Sequence, residues 1–181
     1  MRARIAQCHA PFRVRLVIPG ASVLGQALRV FDIRVDDLSG EPIRELLSLH
    51  LAGMHGHSPP GHVFALDLSG LRASDVTVWS AWDGPALVGI AALRELADRT
   101  GELKSMRTHP NHLRKGVATA LLEHVIGEAR RRGLRRLSLE TGSGPAFEAA
   151  LALYRRRGFR DGEAFADYRR SDFNQFLHLS L

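Results

Sequence analysis

The sequence predicts a mixed α/β fold built around one parallel βαβ crossover that opens onto an anion site. Three observations carry this expectation. Residues 102–119 read ELKSMRTHPNHLRKGVAT: a strand, a Pro-marked turn and a glycine-containing loop that runs into a helix. Ala118, Leu121, Leu122, Val125 and Ala129 then recur at helical spacing, and an alternating strand follows from Leu134 to Glu140. A second amphipathic helix, from Ala146 to Arg157, carries Phe147, Ala150, Leu151 and Tyr154 on one face until Gly158-Phe159 stops it.

The other elements can be justified in chain order. Phe12 to Ile18 alternates arginine with apolar residues and can form a strand. Leu16 to Leu28 is apolar but broken by Pro19, Gly20 and Gly25, so it also reads as a poor signal peptide cleaved between Ala21 and Ala27, or as a leader. The favoured division is an extension over residues 1–29 and one folded domain over residues 30–181. Val30 to Val35 alternate as a strand. Asp36 or Ser39 can cap a helix from Pro42 to about Met54, with Ile43, Leu46, Leu47 and Leu51 on one face. Gly53 to Gly61 reads as a loop, and Asp67 to Ser74 as a short helix or turn. Val76 to Trp82 and Leu87 to Leu96 form a hairpin around Asp83-Gly84, and Phe173 to Leu181 is a closing strand.

Composition narrows the function classes. A chain of 181 residues with 45% apolar content can bury one sizeable core, and no apolar run reaches the ~20 residues needed to span a bilayer. Cys8 is the single cysteine, so there is no disulfide framework, and a reducing cytoplasm is the default. The net charge of +6 is misleading. Arg2, Arg4, Arg13, Arg15 and Arg29 all precede Asp32, the first acidic residue, which leaves residues 30–181 close to neutral. A broad nucleic-acid surface is therefore not expected. His55, His57 and His62 match no common zinc spacing, and no metal is expected. The loop that holds them reads instead as a lid over a substrate.

The junction Leu113-Arg114-Lys115-Gly116-Val117-Ala118 is the chemically informative part. A loop feeding a helix N-terminus presents backbone N–H groups without intrahelical partners, which suits an anion. Two cations flank the glycine, and Gly116 and Ala118 are small enough for a phosphate to approach the backbone. An ordinary strand-to-helix turn with basic surface residues fits the same letters.

Two linked motifs resemble the GNAT superfamily of acyl-CoA-dependent N-acyltransferases. That family's Ala-x-x-Leu-Tyr-x-x-x-Gly-Phe pattern is matched in full by Ala150 to Phe159. Its Arg/Gln-x-x-Gly-x-Gly/Ala pattern appears from Leu113 to Ala118, with leucine in the first place and Arg114 beside it. The resemblance covers roughly residues 30–181 and extends to small bacterial acetyltransferases of loosely defined substrate. It implies a mixed, mostly antiparallel sheet with helices on both faces and splayed central parallel strands. It also implies acetyl-CoA as cosubstrate, no metal, an amine acceptor and a cytoplasmic enzyme without membrane or nucleic-acid partners; a homodimer stays open.

Roles follow residue by residue from the same resemblance. Leu113, Arg114, Lys115 and Gly116 would cradle the pyrophosphate with Val117, Ala118 and Thr119, and His109 and His112 flank them. Met106 and Thr108 would pair their backbone with the acyl-pantetheine, with N–H near Met106 holding the oxyanion. Tyr154 would be the acid toward the CoA sulfur, or else a core tyrosine. An aliphatic amine has a pKa near 10.4, so about one molecule in a thousand or fewer is neutral at pH 7 and a base or relaying water must help. Glu102 is the first candidate for that base and Glu140, on the neighbouring strand, its competitor. Trp79, Trp82, Asp167 and Tyr168 are candidates for the acceptor pocket. A catalytically silent acyl-CoA-binding module and a tail-driven nucleic-acid binder are the other classes.

Overall fold

The structure, a computed structural model, describes residues 12–15 and 30–181. The cleavage-site reading at Ala21–Ala27 and the lone Cys8 lie outside these residues. The strands are β1 (Phe12–Arg15), β2 (Val30–Val35), β3 (Val76–Asp83), β4 (Ala86–Leu96), β5 (Thr100–Thr108), β6 (Arg136–Gly142), β7 (Arg160–Asp161) and β8 (Asn174–Ser180). The helices are α1 (Glu41–His57), α2 (Leu68–Leu71), α3 (Val117–Arg131) and α4 (Pro145–Arg156).

The strands form one eight-stranded sheet in the order β1-β2-β3-β4-β5-β6-β8-β7. Every neighbouring pair is antiparallel except β5 and β6, which are parallel and joined through α3. That is the crossover expected from the sequence. The strand anticipated from Phe12 to Ile18 is described over Phe12–Arg15, where it pairs with β2 at the sheet edge.

Alternation along β4 separates two apolar layers. Ala91 and Leu93 join the larger cluster with Leu121, Leu122 and Val125 of α3 and Phe147, Leu151 and Tyr154 of α4. Ile90 and Ala92 turn the other way and join Ile43, Leu46 and Leu47 of α1. Full burial of each such side chain is worth about 1.5–3 kcal/mol, so the two layers clamp the sheet from both faces. Gly89 is a packing requirement: a Cβ there would stand 2.8 Å from Val117 Cγ1 and 2.9 Å from Leu121 Cδ1. Its absence lets the N-terminus of α3 settle directly on β4.

Three local expectations need correction. The N-cap of α1 is Gly40, with no side-chain hydrogen bond. Asp36 and Asp37 instead accept from the backbone N–H of Leu38 and Ser39, which closes the turn before the helix. Residues 53–57 are the last turn of α1 and not loop, because neither Gly53 nor Gly56 takes up a left-handed φ that would end it. Trp79 is not at a pocket; it is 2% exposed, packed in the larger cluster from the middle of β3.

Candidate active site

The parallel strands part company at the centre of the sheet. β5 and β6 pair only from Thr100–Arg136 to Glu102–Ser138. Beyond that point β6 continues beside β8 to Gly142, while β5 continues to Thr108 beside β4. The β6-facing backbone of β5 after Glu102 is left without a strand partner, an edge onto which an extended ligand can hydrogen-bond as an added strand.

A bulge lies in that open stretch. Lys104 pairs with Ala92 and Arg107 with Ile90, so Ser105 and Met106 together oppose the single Ala91. Ser105 has φ +50°, a strained value for a residue with a side chain. Bulges re-aim backbone groups out of the ladder. Here that happens beside Met106 and before Thr108, the residues expected to pair with an acyl chain.

The loop expected to hold an anion follows directly. Arg114 (φ +58°) and Gly116 (φ +88°) are both left-handed, and Gly116 is the N-cap of α3 without a side-chain cap. Ala120 N–H is the first to close on the helix, at Gly116 O, so the N–H groups of Val117, Ala118 and Thr119 lack intrahelical partners. Leu113 is exposed, and Lys115 Nζ donates to Asn111 O at 2.9 Å, which ties the loop to the turn before it. His109 Nδ1 accepts from Asn111 N–H and so serves that turn.

Where β5 and β6 separate there is a cavity of about 170 Å³. Glu102, Met106, Glu140 and Tyr154, expected from sequence to act in chemistry, all line it. Glu102 is 2% exposed. Its Oε1 accepts from Lys104 Nζ at 3.2 Å and from the Tyr168 hydroxyl at 2.6 Å, and Lys104 Nζ also donates to that hydroxyl at 2.5 Å. Burial pushes the Glu140 carboxyl up to about 7; Lys104 opposes the shift and Glu102 adds to it. Burial alone pushes the Tyr154 phenol well above its usual range, so it keeps its proton at working pH.

Lys104 was nameable from sequence only as an ion-pair partner of Glu102, and Ser105, His50 and Arg107 were not; all four also line the cavity. The spacing of Lys104 two residues after Glu102, on the same strand face, was the available signal for that pair. Of the pocket candidates, Tyr168 reaches the site through Glu102 and Lys104. Trp82 lies under the Arg34 guanidinium at 4.4 Å and Asp167 is exposed; neither lines the cavity. Of the histidine loop, only His57, at the end of α1, lines it, while His62 stacks edge-on against Phe173. Among the described residues no three His, Cys, Asp or Glu side chains are grouped to hold a metal ion, and no helix is long and apolar enough to cross a membrane.

A model of the Acetyltransferase (GNAT) family matches residues 41–159, which span the loop that opens α3, the splayed strands and the cavity. The chain belongs to the GNAT acetyltransferase family. Its GNAT relatives include two bacterial proteins that it covers almost end to end. One is the Escherichia coli K12 protein named uncharacterized N-acetyltransferase YedL, 49% identical over 152 residues, which are 84% of this chain and 96% of the relative. The other is the Bacillus subtilis 168 protein named uncharacterized N-acetyltransferase YsnE, 50% identical over 149 residues, which are 82% and 99% of the two chains. A Bacillus subtilis acetyltransferase solved in complex with CoA shares the fold, with a TM-score of 0.64 and 20% identity over 83% of this chain and 99% of that one. This GNAT protein is thus an N-acetyltransferase on a mixed, mostly antiparallel sheet.

Proposed function

We propose that the enzyme transfers the acetyl group of acetyl-CoA directly to an amine, both substrates being held at once in the gap between β5 and β6. The observation that carries this is the continuity of three features: the open α3 N-terminus, the unpaired edge of β5, and a cavity holding two carboxylates and a protonated phenol. In this reading the N–H groups of residues 113–119 hold the pyrophosphate, helped by the charges of Arg114 and Lys115. The backbone of Met106 and Thr108 aligns the acyl-pantetheine. The N–H groups at the Ser105–Met106 bulge face the thioester oxygen that gains charge as the amine adds.

The proton on the incoming ammonium goes to Glu140. A base works best when its pKa lies near the operating pH, and Glu140, at about 7, is so tuned. Glu102 already uses Oε1 for two donors and acts as a fixed anion at the cavity floor. Tyr154 donates a hydrogen bond to the departing thiolate. Full proton transfer from a phenol raised above 10 to a thiolate near 8.5 is uphill, so hydrogen-bond stabilisation is its main contribution.

Residues 30–181 are the catalytic unit in this account and residues 1–29 an extension. Incubating the full chain with acetyl-CoA and a panel of amines, then measuring free thiol and acetylated product, tests the reading. Product formation at saturating amine supports it; acetyl-CoA binding with no transfer to any amine supports a silent acyl-CoA-binding module.

A further inference from the structure

The geometry points to an acceptor that carries a carboxylate as well as the amine, with Arg107 as the residue that reads the carboxylate. This rests on the acetyltransferase reading of the same cavity.

The bulge decides where Arg107 points. In an unbroken strand, residues 102, 104 and 106 share a face and residue 107 lies on the other. The extra residue at Ser105–Met106 resets that alternation. Glu102, Lys104 and Arg107 pair in turn with Arg94, Ala92 and Ile90, which are spaced two apart on β4 and so share one face. Arg107 therefore joins Glu102 and Lys104 on the α1 side of the sheet, where Ile90 and Ala92 meet the helix. The four intervening steps on β4 put Glu102 and Arg107 at opposite ends of the cavity, about 13 Å apart along the strand.

At its end of the cavity Arg107 has no counter-charge. Its Nε is buried and without a hydrogen-bond partner, and it forms no ion pair among the described residues. The guanidinium lies against α1, where a Cβ on Gly53 would be 3.7 Å from one terminal nitrogen and 3.9 Å from the other. The neighbouring His50 offers no negative charge: burial first, and then Arg107 itself, lowers it to about 4, so it is neutral near pH 7.

The charge balance of the whole cavity agrees. Glu102 is matched by Lys104 at 3.2 Å. Glu140 is only partly ionised near neutrality. Arg107 is the surplus, so a purely cationic amine would enter a cavity already positive at one end. An amino acid or another carboxylate-bearing amine satisfies both ends, with its nitrogen toward Glu140 and Glu102 and its carboxylate on the Arg107 fork, a pairing that arginine makes bidentately. Without that partner the buried Nε of Arg107 stays unsatisfied, which penalises acceptors lacking the carboxylate.

The test compares substrates before it compares proteins. The full chain is given acetyl-CoA with α-amino acids, ω-amino acids and dipeptides, each beside its carboxamide and its decarboxylated amine. The expected result is a kcat/KM preference of roughly 10- to 100-fold for the acid over the carboxamide. In Arg107→Gln that ratio falls toward one, through KM more than kcat, and Arg107→Lys restores part of it. Equal use of acids and carboxamides by the native enzyme overturns the inference, with no variant needed. A fall in acetyl-CoA affinity in Arg107→Gln, measured by calorimetry, would place the arginine on the cosubstrate and also overturn it. Acetylation confined to amines without a carboxylate sinks the inference while leaving the acetyltransferase reading intact. Failure of the native chain to bind acetyl-CoA would instead remove the reading on which it rests.

Discussion

The Tyr168 hydroxyl donates to Oε1 of Glu102 at 2.6 Å, joining the segment after β7 to the floor of a cavity built 66 residues earlier. Burial, and then the charge of Glu102 and the hydrogen bond to it, push the Tyr168 phenol far above its usual range. The proton thus stays on tyrosine and the negative charge on glutamate. Lys104 closes the triangle with bonds to both. Such a network is costly to break, because each buried partner loses solvation that nothing else replaces.

Tyr168→Phe tests that link. The change keeps the ring against Phe64 and Phe165 and removes only the hydroxyl. It should lower folding stability by about 1–3 kcal/mol in chemical denaturation. A neutral result would mean that Lys104 alone satisfies Glu102.

Glu140→Gln should act on both rate and stability. If Glu140 accepts the amine proton, kcat/KM of the native enzyme rises with pH through about 7, and that limb disappears in the variant. The stability effect has a definite sign. A carboxyl whose pKa rises from 4.5 to about 7 on folding binds its proton more tightly in the folded chain. Stability from this group therefore falls as pH rises between those values, and the whole penalty, roughly 3 kcal/mol, stands above pH 7. Glutamine removes it. The variant should gain Tm relative to the native chain at pH 8 and little at pH 4.5. If Glu140→Gln keeps the native pH profile while Glu102→Gln abolishes it, the base lies on β5.

Tyr154→Phe should reduce kcat by roughly 10- to 10³-fold with little change in acetyl-CoA affinity, the pattern of a donor used only as charge develops. The phenol is buried against Phe159, so volume is nearly conserved. Full activity would reduce Tyr154 to a core residue.

Gly116→Asp should abolish acetyl-CoA binding in a folded protein. A side chain must adopt φ +88° there, and its carboxylate would stand in front of the open α3 N–H groups, where the proposal puts the pyrophosphate. Calorimetry on the variant decides; affinity near that of the native chain would move the phosphates elsewhere.

The fold and the loop that opens α3 were legible in the sequence because they are written locally. Ala118 to Ala129 carry the helical period, and Gly116 and Gly133 take the left-handed turns at its two ends. The carboxylates and Tyr154 were also nameable, since the motif fixes their elements and the structure brings them to one cavity. What was missed depends on long-range placement. ELKSMRT reads as an even strand, and nothing local reveals the bulge that turns Arg107 onto the face of Glu102. Tyr168 could be suspected, but its bond to Glu102 crosses four intervening elements. Trp79 looked like a pocket aromatic because its letters do not say that β3 is covered on that face by α3.

The central claim is that one gap between β5 and β6 holds acetyl-CoA and an amine together for direct transfer. The decisive measurement is initial velocity on the full chain with both concentrations varied, using a verified amine acceptor. Direct transfer gives reciprocal plots that intersect, thiol release that requires the amine, and no acetylated enzyme by mass spectrometry when the amine is left out. Parallel plots with a stable acetyl-enzyme would contradict it.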